Sequence, residues 1–185
     1  MIRDFLDRGV ESYLESSRRF RTHLFGFFVP SLKRLGISAH LLTLLSFVSG
    51  AASVLFFFER LGFFFGFAIL HFLFDALDGV VARAEGPTRI GAYFDTLSDN
   101  IVALLLLFRI SFSLGSTLGF FVAILYFIHF LFYLFSSLRV PFLAQRTLVF
   151  LFSFFGLYTP LFFSSSLITC LGFIIQFRYF LRRKS

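Results

Sequence analysis

From residue 39 onward the chain repeats one pattern, a long apolar run followed by a short polar break. The breaks fall at Glu59-Arg60-Leu61, Gly86-Pro87, Ser113-Leu114-Gly115, Arg139-Val140-Pro141 and, least marked, Ser164 to Ser166 beyond Pro160. They delimit six runs, at about 39–58, 62–83, 91–112, 116–138, 144–162 and 164–181. Each is near the roughly 20 residues that an α-helix needs to cross about 30 Å of hydrocarbon. Ahead of them, Ile2, Phe5, Leu6, Gly9, Val10, Tyr13 and Leu14 recur at helical spacing, with Arg3, Asp4, Asp7, Arg8, Glu11 and Glu15 between them. That is the pattern of an amphipathic helix, either lying at the membrane surface or packed on the rest of the protein. The expectation is therefore an all-α polytopic membrane protein, six transmembrane helices preceded by an N-terminal amphipathic interfacial helix.

Composition agrees. Of 185 residues, 58% are hydrophobic and only 15% charged, which is more apolar than one soluble core of this size can use. Phe contributes 34 residues, and no function is drawn from them. The single Cys170 cannot close an internal disulfide. Charges recurring through Arg21 interrupt any signal-peptide core, so the first segments are expected to be retained. The net charge of +7 matters less than where it lies. Six crossings put every Lys and Arg except Arg60 and Arg109 on one side, which the positive-inside rule makes cytoplasmic. Arg109 is expected to snorkel to the outer interface. The whole chain, 1–185, reads as a single membrane domain in the cell membrane, with a cytoplasmic juxtamembrane region (1–34), a six-helix bundle (39–181) and both termini in the cytoplasm. Nucleic acid is not an expected partner.

Against this background the stretch DALDGVVARAEGPTRIGAYFDTLSD, from Asp75 to Asp99, stands out. Asp75 and Asp78 are three apart near the end of the second run, and Asp95 and Asp99 are four apart near the start of the third. Residues at those separations neighbour one another on a helix surface. Two consecutive helices thus present two carboxylates each, at similar depth near the cytoplasmic side. Facing anions repel, by about 1 kcal/mol per close pair in water and roughly fourfold more at an effective dielectric of 20. Arg83 and Arg89 alone offset that poorly. Hard divalent cations prefer clustered carboxylate oxygens, and two ions sharing them suit displacement at phosphorus. Gly79 and Ala82, nearly without side chains, leave room for a ligand or for helix packing, and Arg83 has a planar fork that fits a phosphate or an interfacial anchor.

Asp75-x-x-Asp78-Gly79-x-x-Ala82-Arg83, followed after seven positions by Gly91-x-x-x-Asp95-x-x-x-Asp99, resembles the signature of the CDP-alcohol phosphatidyltransferase family. Its position on the second and third of six spans is similar to that family's architecture. The resemblance implies that Asp75, Asp78, Asp95 and Asp99 hold one or two Mg²⁺ or Mn²⁺ ions, that Asp99 is also the general base, and that Gly79, Ala82, Arg83 and Gly91 form the pocket for the CDP part of a lipid donor. It implies transfer of a phosphatidyl-type group to a small polar alcohol with release of CMP, in phospholipid synthesis, and a homodimer as an assembly to test. Relatives often carry Pro-Asn where this chain has Ala39-His40.

Arg139, Arg146 and Arg178 fall at the cytoplasmic ends of the last three spans, where they serve either as anchors or as acceptor-binding residues for a phosphorylated alcohol such as inositol phosphate or glycerol 3-phosphate. His71 lies one turn before Asp75, placed to orient it or to sit satisfied in the core, and His129 is expected to be buried. The alternative from another class is a divalent-cation or proton-coupled transporter using the intramembrane aspartates.

Overall fold

The computed structural model describes residues 15–16, 19–86, 88–136 and 145–183. Among these there is no strand, as the runs predict. A short helix α1 (19–25) and a 3₁₀ turn (Gly26–Phe28) lead into α2 (Val29–Arg34), which carries Pro30 in its first turn, where a missing N–H costs nothing. Then follow α3 (Ala39–Phe56), α4 (Leu61–Glu85), α5 (Arg89–Ser113), α6 (Thr117–Ser136), α7 (Gln145–Phe154) and α8 (Tyr158–Arg183). The amphipathic helix expected from Ile2 lies outside the described residues, apart from 15–16, which are helical and exposed. So do Pro87 and the break expected at Arg139-Val140-Pro141.

Among the described residues, five helices have the length and apolar character to cross a membrane: Ala39–Phe56, Leu61–Glu85, Arg89–Ser113, Thr117–Leu134 and Tyr158–Phe177. Their outward side chains, Leu55, Ile69, Phe112, Phe121 and Leu167 among them, are exposed large hydrophobics that water would not tolerate in such number. The expected fifth and sixth runs are redrawn. The described part of α7 has 10 residues, about 15 Å at 1.5 Å per residue, which is half a bilayer core. The break expected at Ser164–Ser166 falls instead at Gly156. Gly156 has φ +65°, and Leu157 N–H donates to Phe152 O at 2.9 Å, a helix-terminating geometry that needs the left-handed conformation. The serines do not interrupt α8, because Ser164 and Ser166 turn their hydroxyls onto Leu161 O and Phe163 O one turn back. Gly86, with φ +97°, ends α4 where Gly86-Pro87 was expected to reverse the chain.

The backbone divides into two compact units, Met1–Ser49 with Ile69–Thr96, and Gly50–Ala68 with Leu97–Ser185. In the first, Leu42, Leu77 and Val81 form a buried cluster against which Phe25, Val29, Leu32 and Ile37 pack. Lys33 Nζ donates to Ala84 O at 3.1 Å, satisfying a carbonyl in the last turn of α4.

The second unit is built on aromatic and small-residue contacts. Phe64 is fully buried, its ring stacked 6.3 Å from Phe150 and edge-on to Phe57 at 4.6 Å. Surrounded by lipid, such helices gain little from leaving their solvent, so close interdigitation carries the association. Gly119 shows how close: a Cβ there would lie 2.5 Å from Ser111 Oγ and 2.6 Å from Phe162 Cζ. Gly172 admits the His129 ring in the same way. His129 is buried as expected. Arg109, at the far end of α5, pairs with Glu59 at 3.3 Å.

Gly119→Ala is expected to destabilise the protein by about 1–3 kcal/mol through overpacking, whereas Gly66→Ala, with open space around it, leaves stability unchanged or raised. Thermal unfolding in detergent checks both, and equal effects would refute the packing argument.

Candidate functional site

In the first unit, α4 turns Asp75 and Asp78 inward, with 8% and 4% of each exposed, while Leu77 and Val81 on the adjoining face enter the apolar cluster. Asp95 stands half-buried on α5. Asp75 and Asp95 each offer a carboxylate oxygen, and the two oxygens lie within 4.8 Å of each other, close enough for one metal ion to bind both. Two bare carboxylates at that separation repel by roughly 3.5 kcal/mol at an effective dielectric of 20. The pair fits a hard cation, and oxygen-only donors of this kind suit Mg²⁺ or Mn²⁺ rather than a soft metal.

Asp78 is held from another helix. Thr43 Oγ1, on α3, donates to Asp78 Oδ2 at 2.8 Å and also lies 3.1 Å from Ala39 O. A threonine on an apolar helix gives no signal of such a contact until the helix opposite is known. His71, expected beside Asp75, is fully buried, with Nδ1 2.9 Å from both Ser46 O and Ser46 Oγ. The Ser46 hydroxyl also reaches His71 O at 3.0 Å, so the imidazole is clamped to α3.

The expected nucleotide residues occupy the same unit. Arg83 Nη1 lies 3.5 Å from where a Cβ on Gly79 would stand, so the missing side chain gives the guanidinium room to fold back along α4. Its Nη2 donates to Thr22 Oγ1 of α1 at 3.0 Å, a contact 61 residues away in sequence. Ala82 is half-buried one residue before it. Gly91 sits in the first turn of α5, where its N–H donates to Thr88 Oγ1 at 3.0 Å in an N-cap. A Cβ there would meet Thr88 Oγ1 at 2.9 Å and His40 Cε1 at 3.2 Å. His40 thus lies directly against Gly91.

The family model for CDP-alcohol phosphatidyltransferases matches residues 37–177. The chain belongs to that family. No individually characterised protein matches it. Membership identifies an integral membrane transferase of phospholipid synthesis, acting between a CDP-alcohol donor and an alcohol acceptor.

Asp99, one helical turn beyond Asp95 on α5, belongs to the second unit, where it is ion-paired with Arg146 of α7, both largely buried. One expected acceptor-binding arginine therefore meets the expected base. Arg139 and the side chain of Arg178 lie outside the described residues. Next to Asp99, Asn100 accepts from the Tyr126 hydroxyl of α6, a buried pairing that the sequence did not disclose.

With Asp78 among the metal-holding residues, as the resemblance implies, Thr43→Val is expected to raise the Mg²⁺ concentration for half-maximal CMP release by about 10-fold, with Thr43→Ser restoring it. An unchanged metal titration would show the hydroxyl to be incidental.

Proposed function

We propose that this family member transfers a phosphatidyl-type group, a diacylglycerol or archaeol phosphate, from a CDP-linked lipid to the hydroxyl of a small polar alcohol. One observation carries the reading: carboxylates from two consecutive helices, Asp75 and Asp95, converge within reach of a single cation inside a matched transferase sequence. Asp75, Asp78, Asp95 and Asp99 would hold Mg²⁺ or Mn²⁺, two ions in the full site. When bound, these ions neutralise the charge of the diphosphate.

The chain's own groups divide the remaining work. Gly79, Ala82, Arg83 and Gly91 receive the CDP, with Arg83 gripping phosphate from the orientation set by Gly79 and Thr22. The Asp99 carboxylate takes the proton of the acceptor hydroxyl. The hydroxyl oxygen forms its bond to the phosphorus next to the lipid as the diphosphate bridge breaks, and CMP leaves with the bridging oxygen. Arg146 neighbours that base, so an anionic group on the acceptor would draw the guanidinium from Asp99 and free the carboxylate as the alcohol arrives. With Arg139 and Arg178, it supports a phosphorylated acceptor such as inositol phosphate or glycerol 3-phosphate. The positive-inside pattern supports a cytoplasmic site, reached by CDP and a polar alcohol from water while the lipid chains stay in the bilayer.

The test is CMP release from CDP-lipid in membranes, with Mg²⁺ or Mn²⁺, across phosphorylated and unphosphorylated alcohols. Release is expected with a phosphorylated acceptor, loss on chelation, and a fall of about 10²–10⁴-fold in Asp99→Asn. No release with any acceptor would overturn the reading.

A further inference from the structure

Within the second unit, Gln145, the first described residue of α7, is fully buried. Its Nε2 donates to Thr169 Oγ1 of α8 at 3.1 Å. Thr169 spends its own proton on Ser165 O at 2.7 Å, so its oxygen can only accept, and this fixes which way round the Gln145 amide lies. Gln145 Oε1 consequently faces elsewhere and has no partner among the described residues. Ser165, one turn before Thr169 on α8, is 1% exposed, and its hydroxyl too has no partner among the described residues. Its neighbours Ser164 and Ser166 satisfy themselves on backbone carbonyls, which makes Ser165 an exception to its own local pattern. Buried polar atoms in proteins are almost always paired, and inside a bilayer there is no bulk water to relieve the exceptions.

The residue with the unmet acceptor, Gln145, and the residue with the unmet hydroxyl, Ser165, both bond to Thr169 through their other polar groups, and all three are uncharged. The complementary group is small and neutral and both donates and accepts, which describes a hydroxyl. We propose that Gln145 Oε1 and Ser165 Oγ form a binding site for a hydroxyl-bearing ligand, supplied by an internal water or by the acceptor alcohol itself. The alcohol source rests on the function proposed above: Gln145 immediately precedes Arg146, which pairs with Asp99. The water source does not.

Ser165→Ala tests the site by the sign of its effect. If the site is dry, alanine removes an unpaired buried hydroxyl and has the better helix propensity, so both intrinsic effects stabilise. Only the loss of a bound partner destabilises. The expected result is a fall in Tm of about 2–4 °C in detergent, the scale of one hydrogen bond in a chain of this size. A fall seen without any alcohol, and with acceptor KM unchanged, identifies water. A fall seen only with acceptor present, alongside an acceptor KM raised about 5–10-fold and an unaltered donor KM, identifies the alcohol. A Tm unchanged or raised under both conditions, with unaltered kinetics, overturns the site. If the unaltered protein releases no CMP, the proposed function and the alcohol source fall together, while the Tm measured without acceptor still decides between a water site and none.

Discussion

Like charges brought together in a poorly polarisable medium impose a condition on the structure around them, and the carboxylates of Asp75 and Asp95 are the case from which the rest of the first unit follows. Their oxygens lie within 4.8 Å of each other. An arrangement so unfavourable for bare anions is one that could hold a metal ion. Around it, the apolar cluster of Leu42, Leu77 and Val81 fixes the rotation of α4 that turns its acids inward.

Once part of a helix surface is polar inside a membrane protein, its polar atoms need partners, on their own helix or on another. Thr43 meets Asp78, Ser46 meets His71, and Thr22 meets Arg83, each across at least 25 residues of sequence. These contacts do more than stabilise. They hold the side chains of Asp78, His71 and Arg83 in place against a second helix. In the second unit the same rule is met by Asn100 with Tyr126 and by Asp99 with Arg146. The family match over residues 37–177 makes lipid phosphate chemistry the setting in which these constraints are read.

Much of this was legible in the chain. Apolar runs of about 20 residues foretold membrane helices, because hydrocarbon thickness sets helix length. The three- and four-residue spacings of the aspartates foretold shared helix faces, because the α-helical repeat is fixed. The division after α7 was misplaced for a local reason. Serines look like breakers in a hydropathy pattern, yet inside α8 Ser164 and Ser166 bond to their own backbone, while Gly156 alone supplied the left-handed turn.

By itself, then, the sequence determined the helical membrane character of the protein, the chemistry-bearing residues and their order along each helix, since these depend on periodicity and on the solvent each face must meet. Only the tertiary structure decided which groups touch: that Thr43 rather than an arginine reaches Asp78, that Thr22 holds Arg83, that His40 abuts Gly91, and that Arg146 lies on Asp99. Such pairings depend on the rotation of one helix against another. That rotation is set by close packing summed over many residues far apart in the chain, and no local spacing encodes it.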